Sequence, residues 1–316
     1  MDKFGKVNIM GIAKGAARLI LDECSKHPFS GSVLQLGRQK LFFSLPELEE
    51  WAGLHNVELA ETIPEAVASI KLVSEGCVDD KTFFHKLGFQ TVHSCDYSDF
   101  QAADHVFDLN LPIPEHLHNK YDLIVDSGTL EHVFHLPQAL KNVHDLLKEG
   151  GRVIHLLPAT NYVDHGFYMF SPTLFHDYYS ANRWDIDTAY IIELTRRHDV
   201  DPWRIYQYTP GVLNSLSSGG FDRGYLVNIY FVVRKNEKST TDVIPQQSRY
   251  QEDKWKASTG TQYSIGYRDG FLPKLIQKIK SRGAFMKSRP LLYSVIMSVV
   301  DGIFRRGRMP PIIAKY

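Results

Sequence analysis

Short apolar runs alternate with longer segments of helical periodicity along most of the chain. The runs predict strands at residues 33–37, 91–95, 103–107, 121–126, 152–157, 186–194 and 225–234. Apolar residues at helical spacing predict helices at residues 45–50, 63–75, 80–87, 130–148 and 172–181. Strands that alternate with helices are typical of a parallel sheet with helices on both faces. The pattern therefore predicts a doubly wound α/β fold with a mostly parallel sheet.

The composition changes sharply toward the C-terminus. Residues 235–261 are polar, with Pro, Gln, Ser, Thr and Lys prominent, which is typical of a linker. Residues 270–316 hold ten Lys and Arg but a single acid, Asp301, although the whole chain of 316 residues has a net charge of zero. We expect three parts: an α/β domain over residues 1–236, a linker over 237–269 and a basic, amphipathic segment over 270–316.

The basic segment, residues 270–316, has three interpretations. Its apolar residues at helical spacing beside lysines suit an amphipathic helix on an anionic membrane, a homodimerisation arm, or a helix packed on the acidic body. No motif that reads nucleic acid accompanies the charge, so nucleic acid is not an expected partner. Three scattered cysteines and the absence of any run of roughly 18 apolar residues favour a cytoplasmic protein. Any membrane contact would be peripheral and made through the basic segment.

Candidate site residues follow the predicted strands, because ligands bind to open α/β sheets beyond the carboxyl ends of the central strands. The first four strands are followed by Gly37, Asp96, Asp108 and the pair Asp126-Ser127. Glycine allows a ligand to approach the backbone closely, and a carboxylate can accept hydrogen bonds from ribose hydroxyls. A glycine and then acids at successive strand ends therefore favour a cofactor that contains a nucleoside.

Four sequence blocks carry a resemblance to a known family. They are VLQLG at 33–37, SCDYS at 94–98, ADHVFDLN at 103–110, and YDLIVDSGTLEHV at 121–133, which leads into LLKEGGRV at 146–153. Over residues 31–236 the chain resembles the class I S-adenosylmethionine-dependent methyltransferases, particularly the type 11 group. The resemblance implies a Rossmann-like, seven-stranded sheet in which the strand at residues 225–234 is antiparallel. It also implies S-adenosylmethionine as the cofactor.

The same resemblance implies roles for single residues. Gly37 would lie beside the methionine part of the cofactor, and Asp96 would hold the ribose hydroxyls. Asp108 and Leu109 would border the adenine. The sulfonium side would be lined by Asp126, Ser127, Gly128 and Thr129.

The loop after the first strand departs from the family pattern GxGxG and reads GRQKL from Gly37. If that backbone still needs positive φ, each non-glycine residue costs roughly 1–2 kcal/mol. Alternatively the loop is reshaped, and Arg38 or Gln39 binds the carboxylate of the cofactor directly. The long separation between Gly37 and Asp96 also predicts a helical insertion at about residues 41–88, which could cap the edge of the cofactor site.

Methyl transfer to oxygen or nitrogen can also require removal of the acceptor's proton, for which a histidine that titrates near neutrality is the natural base. His132 and His135 follow the fourth strand, and His165 lies in the loop after the fifth, where an acceptor would enter. We expect His165 to be the catalytic base, with His132 as the second candidate. His132 and His135 lack a second pair of ligands at defined spacing, so no metal site is expected.

The sequence thus predicts an S-adenosylmethionine-dependent methyltransferase that acts on a small-molecule or glycan-type acceptor. Glycans are favoured by family analogy alone. The alternative is a catalytically inactive methyltransferase-like protein that serves as an assembly or membrane-recruited partner, because the glycine loop is degraded. A nicotinamide-dependent oxidoreductase is disfavoured, since the chain lacks GxGxxG.

Overall fold

The computed structural model of the protein describes residues 11–61, 76–195, 197–213, 221, 224–248 and 311–316. The chain divides into two compact units, and the features below belong to the one formed by residues 1–209, 221–245 and 311–316. The other unit comprises residues 210–220 and 246–310. The helix predicted at 63–75 and most of the basic segment lie outside the described residues.

A mixed sheet of nine strands forms the centre of the first unit, counted over its described residues. The strands are β1 (Ser32–Leu36), β2 (Thr91–Asp96), β3 (His105–Val106), β4 (Tyr121–Ser127), β5 (Leu147–Thr160), β6 (Asp185–Thr195), β7 (Arg204–Gln207), β8 (Tyr225–Arg234) and β9 (Ile312–Lys315). Their order in the sheet is β3-β2-β1-β4-β5-β8-β6-β7-β9. In the first part of this order, β3-β2-β1-β4-β5, neighbouring strands are parallel. In the second part, β5-β8-β6-β7-β9, neighbouring strands are antiparallel.

The sheet confirms the α/β, Rossmann-like class and the antiparallel strand at 225–234. The expected number of seven strands is wrong, because β7 and β9 extend the sheet at one edge. Each of these two strands has only four residues, too few for a clear alternation of apolar and polar positions. β9 comes from the end of the basic segment and pairs with β7, so the last residues of that segment belong to the sheet.

Five α-helices accompany the strands in the described part of the chain. They are α1 (Lys14–Lys26), α2 (Leu45–His55), α3 (Asp80–Lys86), α4 (Leu136–Leu146) and α5 (Pro172–Ala181). α2 begins with a capping box, in which the side chains of Ser44 and Glu47 each accept a hydrogen bond from the other residue's amide. α2 and α3 lie between β1 and β2, where the insertion at 41–88 is expected, but residues 62–75 are outside the described ranges, so the insertion stays a prediction. None of the helices described is long and apolar enough to cross a membrane.

The helix predicted at 130–148 is divided in two. Residues Leu130–His132 form a single 3₁₀ turn, and α4 begins only at Leu136, with Pro137 in its first turn. Proline is accommodated in the first turn of a helix but not in its interior, so α4 cannot extend back through this residue. The break leaves Glu131 and His132 on a separate turn near the carboxyl end of β4.

Helices cover both faces of the sheet. On one face, Ile20 and Leu21 of α1 belong to the same buried cluster as Val125 of β4. On the other, the ring of Phe175 in α5 packs against Phe231 of β8, with centroids 5.8 Å apart. The parallel strands are in register at their ends, since Leu36 lies opposite both Cys95 and Asp126. The turns that follow β1, β2 and β4 therefore meet at one edge of the sheet.

Candidate functional site

A cavity of about 440 Å³ opens at the carboxyl ends of β1, β2 and β4, and we call it cavity A. Its size lies within the range of about 300–1,000 Å³ that is usual for small-molecule sites. The predicted cofactor-binding residues that line it are Gly37, Arg38, Gln39, Asp96, Asp108, Leu109, Ser127 and Gly128. The structure thus brings together residues that are widely separated along the chain.

Asp96 and Asp108 are each oriented by the turn that follows their strand. Asp96 Oδ1 accepts a hydrogen bond from the amide of Tyr97 at 2.7 Å. Asp108 Oδ1 accepts from the amide and the side chain of Asn110 at 2.8 and 2.7 Å. Within the described part of the chain, neither Oδ2 atom has a hydrogen-bond donor. Each carboxyl therefore keeps one oxygen that can accept a hydrogen bond from a ligand in cavity A.

Gly37 has the left-handed conformation that favours glycine, with φ of 67°. Its amide donates to the carbonyl of Cys95 at 2.8 Å, and a Cβ atom added to it would lie 2.8 Å from Thr129 Oγ1. That hydroxyl in turn donates to the carbonyl of Leu36 at 2.5 Å. Both the backbone conformation and the close approach of Thr129 therefore require glycine at this position.

The loop after Gly37 is reshaped rather than strained, because neither Arg38 nor Gln39 is among the positive-φ residues of the described chain. Arg38 is buried, and its guanidinium reaches both carboxylate oxygens of Asp80 at 3.2 Å and the carbonyls of residues 101–102 at 3.1 and 3.0 Å. Gln39 Nε2 donates to two carbonyls at the end of β1, at 3.0 and 3.1 Å. Both side chains use their donors to hold the wall of cavity A, so their contacts do not support direct binding of a ligand carboxylate.

Asp126 is fully buried and lies behind the wall of cavity A rather than on it. Its Oδ2 atom is 2.7 Å from His155 Nδ1, and His155 Nε2 is 2.6 Å from the hydroxyl of Tyr179. Burial raises the pKa of Tyr179 well above its usual value. Asp126 Oδ1 accepts hydrogen bonds from the amides of Thr129 and Leu130 at 3.2 and 3.3 Å. The carboxyl therefore positions the turn that lines the cavity, where the resemblance implied direct contact with the cofactor.

Cys95 also borders cavity A, but its thiol is unreactive. Its pKa is raised to about 12, chiefly by burial and in smaller part by the nearby carboxylates of Asp96 and Asp126. A thiol that stays protonated is a poor nucleophile. Cys95 therefore acts as a small apolar residue, as its place in a predicted strand indicates.

A second, smaller cavity of about 30 Å³ shares the Ser127-Gly128 turn with cavity A, and we call it cavity B. Tyr162 and Asn228 contribute polar side chains to it. Among the aromatic residues of the loop after β5, Tyr162 lines cavity B, whereas Phe170 is buried in the core and Phe167 is 67% exposed.

Glu131, His132 and His165, which we call the Glu131 cluster, lie where the two cavities meet. His132 lines cavity A, and Glu131 and His165 line cavity B. Glu131 Oε1 is 3.5 Å from His165 Nε2 and 3.8 Å from His132 Nε2. Both predicted catalytic histidines are thus at the junction. His135 is not, because it is exposed and lines neither cavity.

Glu131 is the residue of this cluster that sequence reasoning missed. His165 reaches it because Gly166 lets the loop after β5 approach closely: a Cβ atom on Gly166 would lie 2.9 Å from the carbonyl oxygen of Glu131. The same oxygen accepts a hydrogen bond from the amide of Tyr168 at 3.1 Å. The block LEHV drew attention to residues 130–133, but its spacing does not show which histidine faces the carboxylate.

A family model described as a methyltransferase domain matches residues 80–153. The expected resemblance to methyltransferases is confirmed over this segment. The segment runs from α3 to β5 and contains the acids and the turns that line cavity A. No curated protein sequence matches the chain.

Several solved structures are similar to parts of this chain. They include the trans-methyltransferase CalH in complex with SAH, at 14% identity over 69% of this chain and 55% of that chain, with a TM-score of 0.32. Another is 1,6-didemethyltoxoflavin-N1-methyltransferase of Burkholderia thailandensis, at 12% identity over 71% and 80% of the two chains, with a TM-score of 0.33. A SAM-dependent methyltransferase of Thermotoga maritima covers 71% and 90% at 12% identity, with a TM-score of 0.31.

Proposed function

We propose that the protein is an S-adenosylmethionine-dependent methyltransferase that binds its cofactor in cavity A and receives the reactive end of its acceptor at the Ser127-Gly128 turn, beside cavity B. The observation that carries the proposal is the Ser127-Gly128 turn, which lines both cavities. A donor in cavity A and the reactive end of an acceptor beside cavity B would meet at this turn. The Glu131 cluster lies beside it.

The residues of cavity A fit the chemistry of the cofactor. The free carboxylate oxygens of Asp96 and Asp108 suit ribose hydroxyls and an adenine amino group, and a hydrogen bond to a carboxylate is worth about 1.5–3 kcal/mol. Leu109 is apolar and lies beside Asp108 in the same wall, which suits the face of a base. The reshaped loop leaves the cavity open beside Gly37.

When bound, S-adenosylmethionine supplies a methyl carbon that its sulfonium sulfur has already activated. The chain then has to align the acceptor, exclude competing water and accept a proton. Alignment alone can lower a barrier by about 7–11 kcal/mol. His165 Nε2 and, second, His132 Nε2 are the atoms proposed to take the proton, and Glu131 Oε1 lies 3.5 and 3.8 Å from them, respectively.

The polar side chains of Tyr162 and Asn228 in cavity B suit a hydroxyl or amino group at the end of a small-molecule or glycan-type acceptor, since the cavity of about 30 Å³ has room for such a group and not for the whole molecule. The partners expected for the basic segment, an anionic membrane surface or a second copy of the chain, remain part of the proposal. The alternative of an inactive, scaffolding homologue is not favoured, since Arg38 and Gln39 pack into the wall and leave cavity A open.

Calorimetric titration with S-adenosylhomocysteine tests the cofactor site. We expect binding by the wild type and a loss of about 10- to 100-fold in affinity for Asp96→Ala, from the hydrogen bond removed. Asp99→Ala is the matched control, because Asp99 is an exposed acid in the same loop that does not line the cavity. No heat from folded wild-type protein at millimolar ligand would contradict the proposal.

The acceptor can be sought with an isotopically labelled methyl donor. Cell extract and a panel of glycans would be incubated with the protein and analysed by mass spectrometry for labelled methyl groups. Wild-type protein should produce a labelled product that Asp96→Ala produces more slowly. A labelled product formed equally by both proteins would show that cavity A is not the donor site.

A further inference from the structure

The Glu131 cluster combines two imidazoles and one carboxylate at ligand distance. The ligand atoms of Glu131, His132 and His165 all lie within 4.8 Å of one another. A metal ion bound at about 2.1 Å from each ligand separates neighbouring ligands by about 3.0–3.4 Å. The two carboxylate–imidazole distances, 3.5 and 3.8 Å, need only a small closure to reach that geometry. Both histidines are partly exposed, so their rings have room to turn.

The carboxylate of Glu131 is buried without the partners that burial normally demands. The side chain is 1% exposed, and Oε2 has no hydrogen-bond partner among the described residues. His132 Nε2 is likewise buried and unpartnered there. The contacts from Oε1 to the histidines are longer than the 2.7–3.2 Å that is usual for hydrogen bonds. A buried carboxylate left in this state is costly, and a cation between the three side chains would remove the cost.

We infer that Glu131, His132 and His165 bind a divalent transition-metal ion. Imidazole nitrogen is a ligand for Zn²⁺, Fe²⁺ and related ions, whereas Mg²⁺ and Ca²⁺ prefer oxygen alone. Three protein ligands leave coordination positions open, which is the pattern of catalytic rather than structural metal sites. The cluster borders cavity B, so an open position can face the acceptor.

The role of the ion in catalysis rests on the proposed function, although its binding does not. A metal ion lowers the pKa of a bound oxygen, as it lowers that of water to about 7. In the metal-loaded protein the ion would make the acceptor's hydroxyl more acidic, and its proton would pass to bulk water as the oxygen takes the methyl group and S-adenosylhomocysteine leaves. The two histidines would then serve as ligands and not as the direct base.

The test uses full-length protein without an affinity tag, freed of metal with a chelator. Zn²⁺ is titrated by calorimetry, and Co²⁺ is followed by its visible absorption. We expect one ion per chain, with affinity reduced at least about tenfold in Glu131→Gln and in His165→Asn, because even residues behind a metal ligand are worth about 10- to 100-fold. His135→Asn is the control, since His135 is exposed and does not belong to the cluster. It should bind like the wild type.

Wild-type protein that binds neither ion, or variants of Glu131 and His165 that bind both ions as the wild type does, would overturn the inference. If Glu131→Gln fails to fold, His165→Asn decides, because His165 lies in a loop and is 25% exposed. Titration of the same samples with S-adenosylhomocysteine separates the two proposals. Metal binding without S-adenosylhomocysteine binding contradicts the proposed function alone, and the reverse result contradicts the metal site alone.

Discussion

Substitution of Gly37 by alanine should destabilise the protein, although it adds a single methyl group. Gly37 has φ of 67°, and its added Cβ atom would lie 2.8 Å from Thr129 Oγ1. The hydroxyl of Thr129 cannot retreat freely, since it is bonded to the carbonyl of Leu36. The substitution therefore imposes two costs, one on the backbone and one on this hydrogen bond.

The two costs can be estimated separately. A left-handed conformation costs a residue other than glycine roughly 1–2 kcal/mol. Loss of the hydrogen bond from Thr129 to Leu36 costs about 0.5–1.5 kcal/mol. We therefore expect Gly37→Ala to lower the free energy of unfolding by about 1.5–3.5 kcal/mol, as measured by urea denaturation.

Gly53→Ala is the matched control, because Gly53 lies within α2 and an added Cβ atom would have no neighbour within 4 Å. Alanine is favoured over glycine in a helix by about 0.5–1 kcal/mol, so this variant should be slightly more stable than the wild type. In a double-mutant cycle, Thr129→Ala should remove part of the cost of Gly37→Ala, because the clash disappears. Additive effects of the two substitutions, or equal stability of the two glycine variants, would refute the reasoning.

Two further predictions concern residues near cavity A and β3. Arg38→Lys should lower the free energy of unfolding by about 2–4 kcal/mol in urea, because lysine cannot reproduce the two contacts to Asp80 together with those to the loop carbonyls; an unchanged urea midpoint would contradict this role. Burial lowers the pKa of both His93 and His105 in the folded protein. Below about pH 6.5 these two histidines therefore bind protons more readily in the unfolded chain than in the folded one. Stability should therefore fall between pH 7 and pH 5, and the double variant His93→Gln/His105→Gln should show a smaller fall in urea midpoints over that range.

The parts of the fold that could be predicted are the elements whose sequence pattern matches their place in the folded protein. β4 is marked by the apolar run from Leu123 to Val125, and α5 begins at the proline that marks its first turn. α1 was missed, although it buries one face against the sheet. β9 was missed because it lies apart from the other strands in a segment whose dominant feature is its charge. Such pairings depend on which edge of the sheet is free, and a single sequence does not show that.

The candidate site could be predicted where residues directly follow parallel strands. Register brings the ends of β1, β2 and β4 together, so Asp96 and Gly37 necessarily share a cavity wall. Contacts across loops could not be foreseen in this way. The pairing of Arg38 with Asp80 and the approach of His165 to Glu131 each depend on loop conformations that periodicity does not determine.

A crystal structure of the protein grown with S-adenosylhomocysteine tests most directly whether cavity A is the cofactor site. We expect the ribose hydroxyls within hydrogen-bond distance of Asp96 and the adenine beside Asp108 and Leu109, with the sulfur near the Ser127-Gly128 turn. Ligand bound elsewhere on the protein, or in cavity A without contact to Asp96, would contradict the account.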